Sequence, residues 1–177
     1  MIEKIINWFF RPRIKVNFEY KLDPVSENDF CHLRRDRITG RLCWFFRMGI
    51  ENKGSTVVKD CDIRIEKIER IIEEKCKEMK NFSPIVLHWA NIESDESRDL
   101  HKDTPEFIDV VYTMEGENNF YIFAKRKHIG VGSNIIWPSG QYRLYLKVLG
   151  DNIKPHRITV FINFNGHWDQ LEMKLER

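Results

Sequence analysis

The chain has 177 residues, 42% of them hydrophobic and 32% charged, with a formal net charge of +2. Such a composition excludes a disordered or membrane-embedded chain, and the small net charge gives no overall case for nucleic-acid binding. The balance is +4 over residues 1–50, −7 over 51–120 and +5 over 121–177, but distant segments interleave in a sheet, so these blocks need not form surface patches.

Residues 1–12 read as a short amphipathic helix. Ile2, Ile5, Ile6 and Phe9 fall at helical spacing, and Pro12 ends the run. It is too short to cross a bilayer, which takes roughly twenty apolar residues. Ile5, Trp8, Phe9 and Phe10 nevertheless need burial, and three sinks are open: the chain's own fold, a second copy, or a lipid surface. Arg11, Arg13 and Lys15 would help only at an anionic leaflet. Packing on protein is the expected sink, and peripheral membrane contact is the second.

Residues 13–177 read as a single β-sandwich domain. Ile14, Val16, Phe18 and Tyr20 alternate with polar residues in a first strand that Asp23-Pro24 stops. Residues 22–41 read as a loop, with Arg34, Arg35, Arg37 and Arg41 around a Thr-Gly turn. The sharper reading of that cluster is a grip on phosphate or carboxylate; the plainer one is the solvated tip of a hairpin. Leu42 to Asn52 is a strong strand with Trp44 and Phe46 on one face, and Val57, Cys61, Ile63 and Ile65 form the next. Ile65, Ile68, Ile72, Cys76 and Met79 then fit a helical stripe, so a helix is expected at about 67–80, with a long hairpin as the alternative.

Ile85 to Trp89 is a short strand, and residues 91–106 an acidic loop whose spacing fits no calcium-binding hand. Phe107–Met114 and Phe120–Lys125 pair across Glu117-Asn118-Asn119. Lys125, Arg126 and Lys127 lead into a Gly-containing loop that offers a second candidate anion contact, without the Lys-Ser/Thr of a phosphate-binding loop. Trp-Pro-Ser-Gly-Gln-Tyr, from Trp137, turns the chain into the cleanest strand, where Tyr142, Leu144, Leu146 and Val148 share a face. Ile158, Val160, Ile162 and Phe164 answer it, Trp168 caps the core, and Leu171 to Leu175 is a candidate edge strand.

The expected fold is therefore an all-β, antiparallel, immunoglobulin-like β-sandwich with one or two short helices. Its core should include Trp44, Phe46, Cys61, Ile63, Trp89, Val110, Tyr142, Leu144, Leu146, Val160 and Ile162. The four cysteines have neither zinc spacing nor a Cys-x-x-Cys pair. Free thiols in a reducing cytoplasm are expected, with a Cys43–Cys61 disulfide as the alternative. The six histidines show no His-x-x-x-His spacing, and His88 reads as a satisfied core residue. With no nucleophile motif, no metal site and no cofactor signature, the expected function is a non-catalytic interaction module for a protein or membrane-associated partner, with a homo-oligomer open. The rival is a sensor of an anionic small ligand through Arg34, Arg35, Arg37, Lys125, Arg126 and Lys127.

Phe10-Arg-Pro-Arg-Ile-Lys-Val, Gly49-Ile-Glu-Asn-Lys-Gly and Trp137-Pro-Ser-Gly-Gln-Tyr-Arg-Leu, with Asn152-Ile-Lys-Pro and Gly166-His-Trp beyond, carry a resemblance. Together they resemble a loose set of uncharacterised prokaryotic proteins with a C-terminal β-sandwich, often attached to transmembrane helices. The resemblance implies an effector or sensor role in nucleotide-signal antiviral systems. It carries no catalytic residue, and this chain shows no membrane span of its own. The expected location, read from the cysteines, is the cytoplasm, with a peripheral place at the inner membrane as the alternative.

Overall fold

The structure is a computed structural model that describes residues 11–19, 30–80, 82–90, 96–125 and 134–176. Among these residues all regular structure is strand, in two antiparallel sheets. The centre of the first sheet is β3 (Leu42–Asn52) against β9 (Glu106–Met114). Along the far side of β3, β1 (Ile14–Asn17) and β2 (Cys31–Arg35) lie end to end. Along the far side of β9 lie β7 (His88–Trp89) and β10 (Asn119–Phe123), and β10 is followed by β11 (Asn134–Pro138). The second sheet sets β4 (Val58–Ile72), β12 (Gly140–Leu149), β13 (His156–Phe164) and β14 (Leu171–Glu176) side by side. The other edge of β4 carries β5 (Lys75–Glu78), β6 (Ile85–Val86) and β8 (Arg98–Leu100).

Period-two alternation explains most of the core. Trp44, Phe46, Met48 and Ile50 of β3 and Tyr142, Leu144, Leu146 and Val148 of β12 are all buried in one core, because successive side chains of a strand point to opposite faces. Every residue expected in the core is buried there. The Tyr142 hydroxyl donates to the Pro138 carbonyl at 3.0 Å, so the Pro-x-Gly-x-Tyr turn is fastened to the strand it starts.

No helix forms over 67–80. Leu146 pairs with Ile65 and Tyr145 with Lys67, so Glu66 is an extra residue in β4. That bulge shifts the alternation by one, and Ile65 and Ile68, three apart, both point inward. A bulged strand thus imitates the helical stripe. The chain then turns through Glu73 and Glu74, at φ 49° and 65°, and returns as β5. Two consecutive positive φ values make the tight hairpin turn whose twist matches its strands. The stretch 22–41 also holds more structure than a loop, since β2 pairs with β3 from Cys31↔Phe46 to Arg35↔Leu42. The expected N-terminal helix falls on residues 1–10, outside the described residues.

The two sheets are joined by chain as well as by core. Ile85 and Val86 pair with β4, Leu87 bridges Ala124, and His88 and Trp89 pair with β9. Five residues therefore pass from one sheet to the other. Elsewhere Asn52 is fully buried and uses its whole amide. Its Oδ1 accepts from the Arg13 and Gly54 N–H groups at 3.2 and 2.9 Å, and its Nδ2 donates to the Thr56 and Leu100 carbonyls at 2.8 and 3.1 Å. One side chain so fixes the entry to β1, the β3–β4 turn and the end of β8.

The four thiols are free. Cys43 sits on β3 and Cys61 on β4, in different sheets, so the disulfide alternative is not formed. Burial pushes the Cys61 thiol up to about 12, which keeps it protonated and inert. Among the described residues no helix is long and apolar enough to cross a membrane.

Candidate binding face

The side of the first sheet turned away from the second has an unusual composition. A β-bulge in β9 sets it up: Phe46 pairs with Val111 and Arg47 with Asp109, leaving Val110 extra. Val110 and Val111 both turn into the core, and Asp109 and Tyr112 both turn outward. Phe45 of β3, Tyr112 of β9 and Tyr121 of β10 then lie directly opposite one another across three strands. Their rings stack, with centroids 5.1 Å apart for Phe45–Tyr112 and 5.0 Å for Tyr112–Tyr121. Phe123 meets Phe45, Tyr112 and His88 edge-on. Tyr112 is buried, while Phe45, Tyr121, Phe123 and His88 are half-buried.

Beside the rings, the Arg47 Nε donates to Asp109 Oδ1 at 2.7 Å, and both residues are about 5% exposed. Burial pushes the Asp109 carboxyl up, and the Arg47 guanidinium opposes that shift. His88 and His32 add smaller attractive fields to the carboxylate. The His88 Nδ1 lies 2.7 Å from the Trp89 carbonyl oxygen, which can only accept, so Nδ1 carries the proton. His88 is thus an outward, half-buried residue of the aromatic face rather than a core residue. Burial also drives the Tyr112 phenol far above its ordinary value, and the Cys43 thiol upward.

The arginine hairpin borders this face. Arg34 lies directly opposite Cys43 across β2 and β3, two residues along β3 from Phe45, at the end of the aromatic row. The tip is internally bonded. Asp36 Oδ1 accepts from the Ile38 and Thr39 amides and from the Thr39 hydroxyl, at 3.1, 2.6 and 2.8 Å. Those bonds, the Thr39 amide first, hold the Asp36 carboxyl below its ordinary value. Arg35 donates to the Gly40 carbonyl at 2.5 Å, and Arg41 pairs with Glu117 at 2.6 Å. Arg34 and Arg37 are exposed and form no ion pair among the described residues.

Lys125 does not join the arginines. It is 2% exposed, and its Nζ donates to Asp62 Oδ1 at 2.5 Å and to the Glu96 carbonyl at 3.0 Å, tying the end of β10 to β4. The anion contact expected of Lys125 is corrected accordingly: its charge is committed to an inter-sheet ion pair. Arg126 and Lys127 lie outside the described residues, as do Ile5, Trp8, Phe9 and Phe10. The aromatic face went unread in the sequence, although a signal for it exists: Phe45, Tyr121 and Phe123 all carry aromatic rings at outward positions, where a solvated sheet face would carry polar residues. Comparison with known proteins finds no matching protein-family model, no similar curated protein and no similar solved structure.

Proposed function

We propose that the chain is a non-catalytic binding module of immunoglobulin-like build, and that it engages a protein partner through the aromatic face of its first sheet. The immunoglobulin-like reading is supported by the hydroxyl of Tyr142 bonding back to Pro138, the tyrosine corner such sandwiches use. The observation that carries the function is the stacked row Phe45–Tyr112–Tyr121 on a face that has no second layer of described strands over it. Rigid aromatic rings with arginines at their rim are the residue types that dominate protein interfaces. A partner presenting an apolar or planar group would cover Tyr121 and Phe123, and Arg34 and Arg37 would meet its acidic rim.

The test is affinity capture with the wild-type chain beside the Tyr121→Ala/Phe123→Ala double variant, with folding of both confirmed by thermal melts. A partner held by the wild type and weakened at least tenfold in the variant supports the reading, since interface hot spots cost about 2 kcal/mol or more. A partner retained equally by both overturns it.

A second reading is favoured by the two arginines that form no ion pair. A nucleotide-like anionic ligand would lay its ring on the aromatic row and its phosphate against Arg34 and Arg37, in keeping with a sensor or effector role in antiviral defence. A thermal-shift screen against nucleotides separates the two. A ligand at a hundred times its dissociation constant stabilises by about 2.7 kcal/mol, and that shift should vanish in Arg34→Ala/Arg37→Ala.

A further inference from the structure

The second sheet ends at β14, whose other edge has no partner strand among the described residues. Edge strands present unpaired N–H and C=O groups and are usually blunted by charge. That is how β5 ends the opposite side, with Lys75, Lys77 and Glu78 all exposed. On β14, Leu171 and Met173 point into the core, Leu175 packs partly against it, and Glu172 and Lys174 point out. Between β14 and the edge of β1 that has no partner strand among the described residues runs an open groove of about 780 Å³, with Ile14, Val16 and Phe18 on one side and Met173 and Leu175 on the other. The groove leaves partly buried apolar side chains along the open side of the sandwich, next to an unpaired backbone.

The sequence of β14 is complementary to itself when reversed. Set two copies antiparallel with a two-fold axis at Met173, and Leu171 falls opposite Leu175, Glu172 opposite Lys174, and Met173 opposite Met173. Opposite residues of an antiparallel pair lie on the same face, so the apolar pairs stay on the core side and the charged pairs on the outer side. Both charged side chains are open to a partner: Glu172 is 44% and Lys174 63% exposed, and their own contact along the strand is 3.5 Å. A shift of one residue in either direction would set Met173 opposite a charged residue and lose both opposite-charge pairs.

We propose that β14 pairs with the β14 of a second copy of this chain, antiparallel about Met173, so that the second sheets of two molecules become one continuous sheet. The incoming strand lies along the rim of the groove, whose far wall is Ile14, Val16 and Phe18, while its own Leu171 and Met173 stay in their own core. A two-fold interface must be self-complementary in this way, because the same patch serves both subunits. The association is separate from the aromatic face and leaves that face open.

The test is a charge-swap cycle read by sedimentation velocity over a concentration series. The wild type should show a concentration-dependent dimer. Glu172→Lys alone, and Lys174→Glu alone, each turn two attractive cross-strand pairs into two repulsive ones, and each should weaken the dimer on the order of tenfold. The double variant Glu172→Lys/Lys174→Glu restores both pairs and should recover the wild-type constant. Both substituted side chains lie on the outer side of the strand, so folding is preserved, and Tyr121→Ala should leave the dimer constant unchanged. A monomeric wild type across the series overturns the proposal. So does a dimer indifferent to the single substitutions, or one that the double variant fails to restore.

Discussion

Replacing Asn52 by alanine tests the hydrogen-bond hub at the junction of β1, β3 and β8. The substitution removes four hydrogen bonds at once. The Arg13 amide and the Thr56 carbonyl are only partly buried and can recover water. The Gly54 amide and the Leu100 carbonyl lie in buried pairings and cannot. Leaving a buried polar group unsatisfied costs about 1–3 kcal/mol, so Asn52→Ala should lose about 4 kcal/mol, a large part of the roughly 5–15 kcal/mol that stabilises a domain. Urea unfolding followed by tryptophan fluorescence measures this, provided the denaturant slope stays constant. Asn52→Asp is the companion variant. It keeps the shape and one acceptor, but it sets a carboxylate oxygen against the Thr56 and Leu100 carbonyls. Its deficit should narrow in acid, where protonation returns one donor. A loss below about 1 kcal/mol for Asn52→Ala would refute the assignment of a structural hub.

Three further outcomes follow from the same structure. Leu144 is fully buried, so Leu144→Ala should cost about 2–5 kcal/mol, and an unchanged melting temperature would show the inward face to be misassigned. Glu73→Asn/Glu74→Gly places at the two positive-φ positions the residues that tolerate them, and should raise stability by about 1 kcal/mol; an unmoved urea midpoint would argue against this turn. The Lys67 ammonium and the Tyr145 hydroxyl hold the Glu69 carboxyl below its ordinary value. Its contribution is therefore present above the unfolded carboxyl value near 4.3 and is lost as pH falls through the lower folded value. Glu69→Gln should be less stable than wild type at neutral pH and converge with it in acid, and a gap that does not change with pH would contradict the pairing.

The strands with unbroken alternation were legible from sequence. β12 and β13 show every inward residue where period two puts it, because each is paired over nearly its whole length and neither is interrupted. Errors gathered at bulges. Glu66 slips the phase of β4 and made a strand look helical, and Val110 slips that of β9. A bulge is defined by the partner strand, which lies far away in sequence, so the chain alone cannot show it. The same reason hid the aromatic face: Tyr112 joins Phe45 and Tyr121 only after the slip at Val110. The arginine hairpin was recognised by composition, whereas Lys125 was grouped with its sequence neighbours. Its partner, Asp62, sits sixty-three residues away on the other sheet.

The five residues from Ile85 to Trp89 give up ladder bonds to both sheets within a span shorter than an average strand. A ribbon that serves two ladders acts as a staple between them, so neither sheet can slip its register, or fray from that side, without dragging the other. Amide exchange should report this: the Leu87 amide, bonded to the Ile63 carbonyl, and the Lys125 amide, bonded to the Val86 carbonyl, belong among the slowest protons and should exchange only with global opening. The same geometry makes the segment intolerant of length change. One residue inserted beside Leu87 would reverse inside and outside for either the β6 half or the β7 half, so variation in such a chain has to be absorbed in its turns.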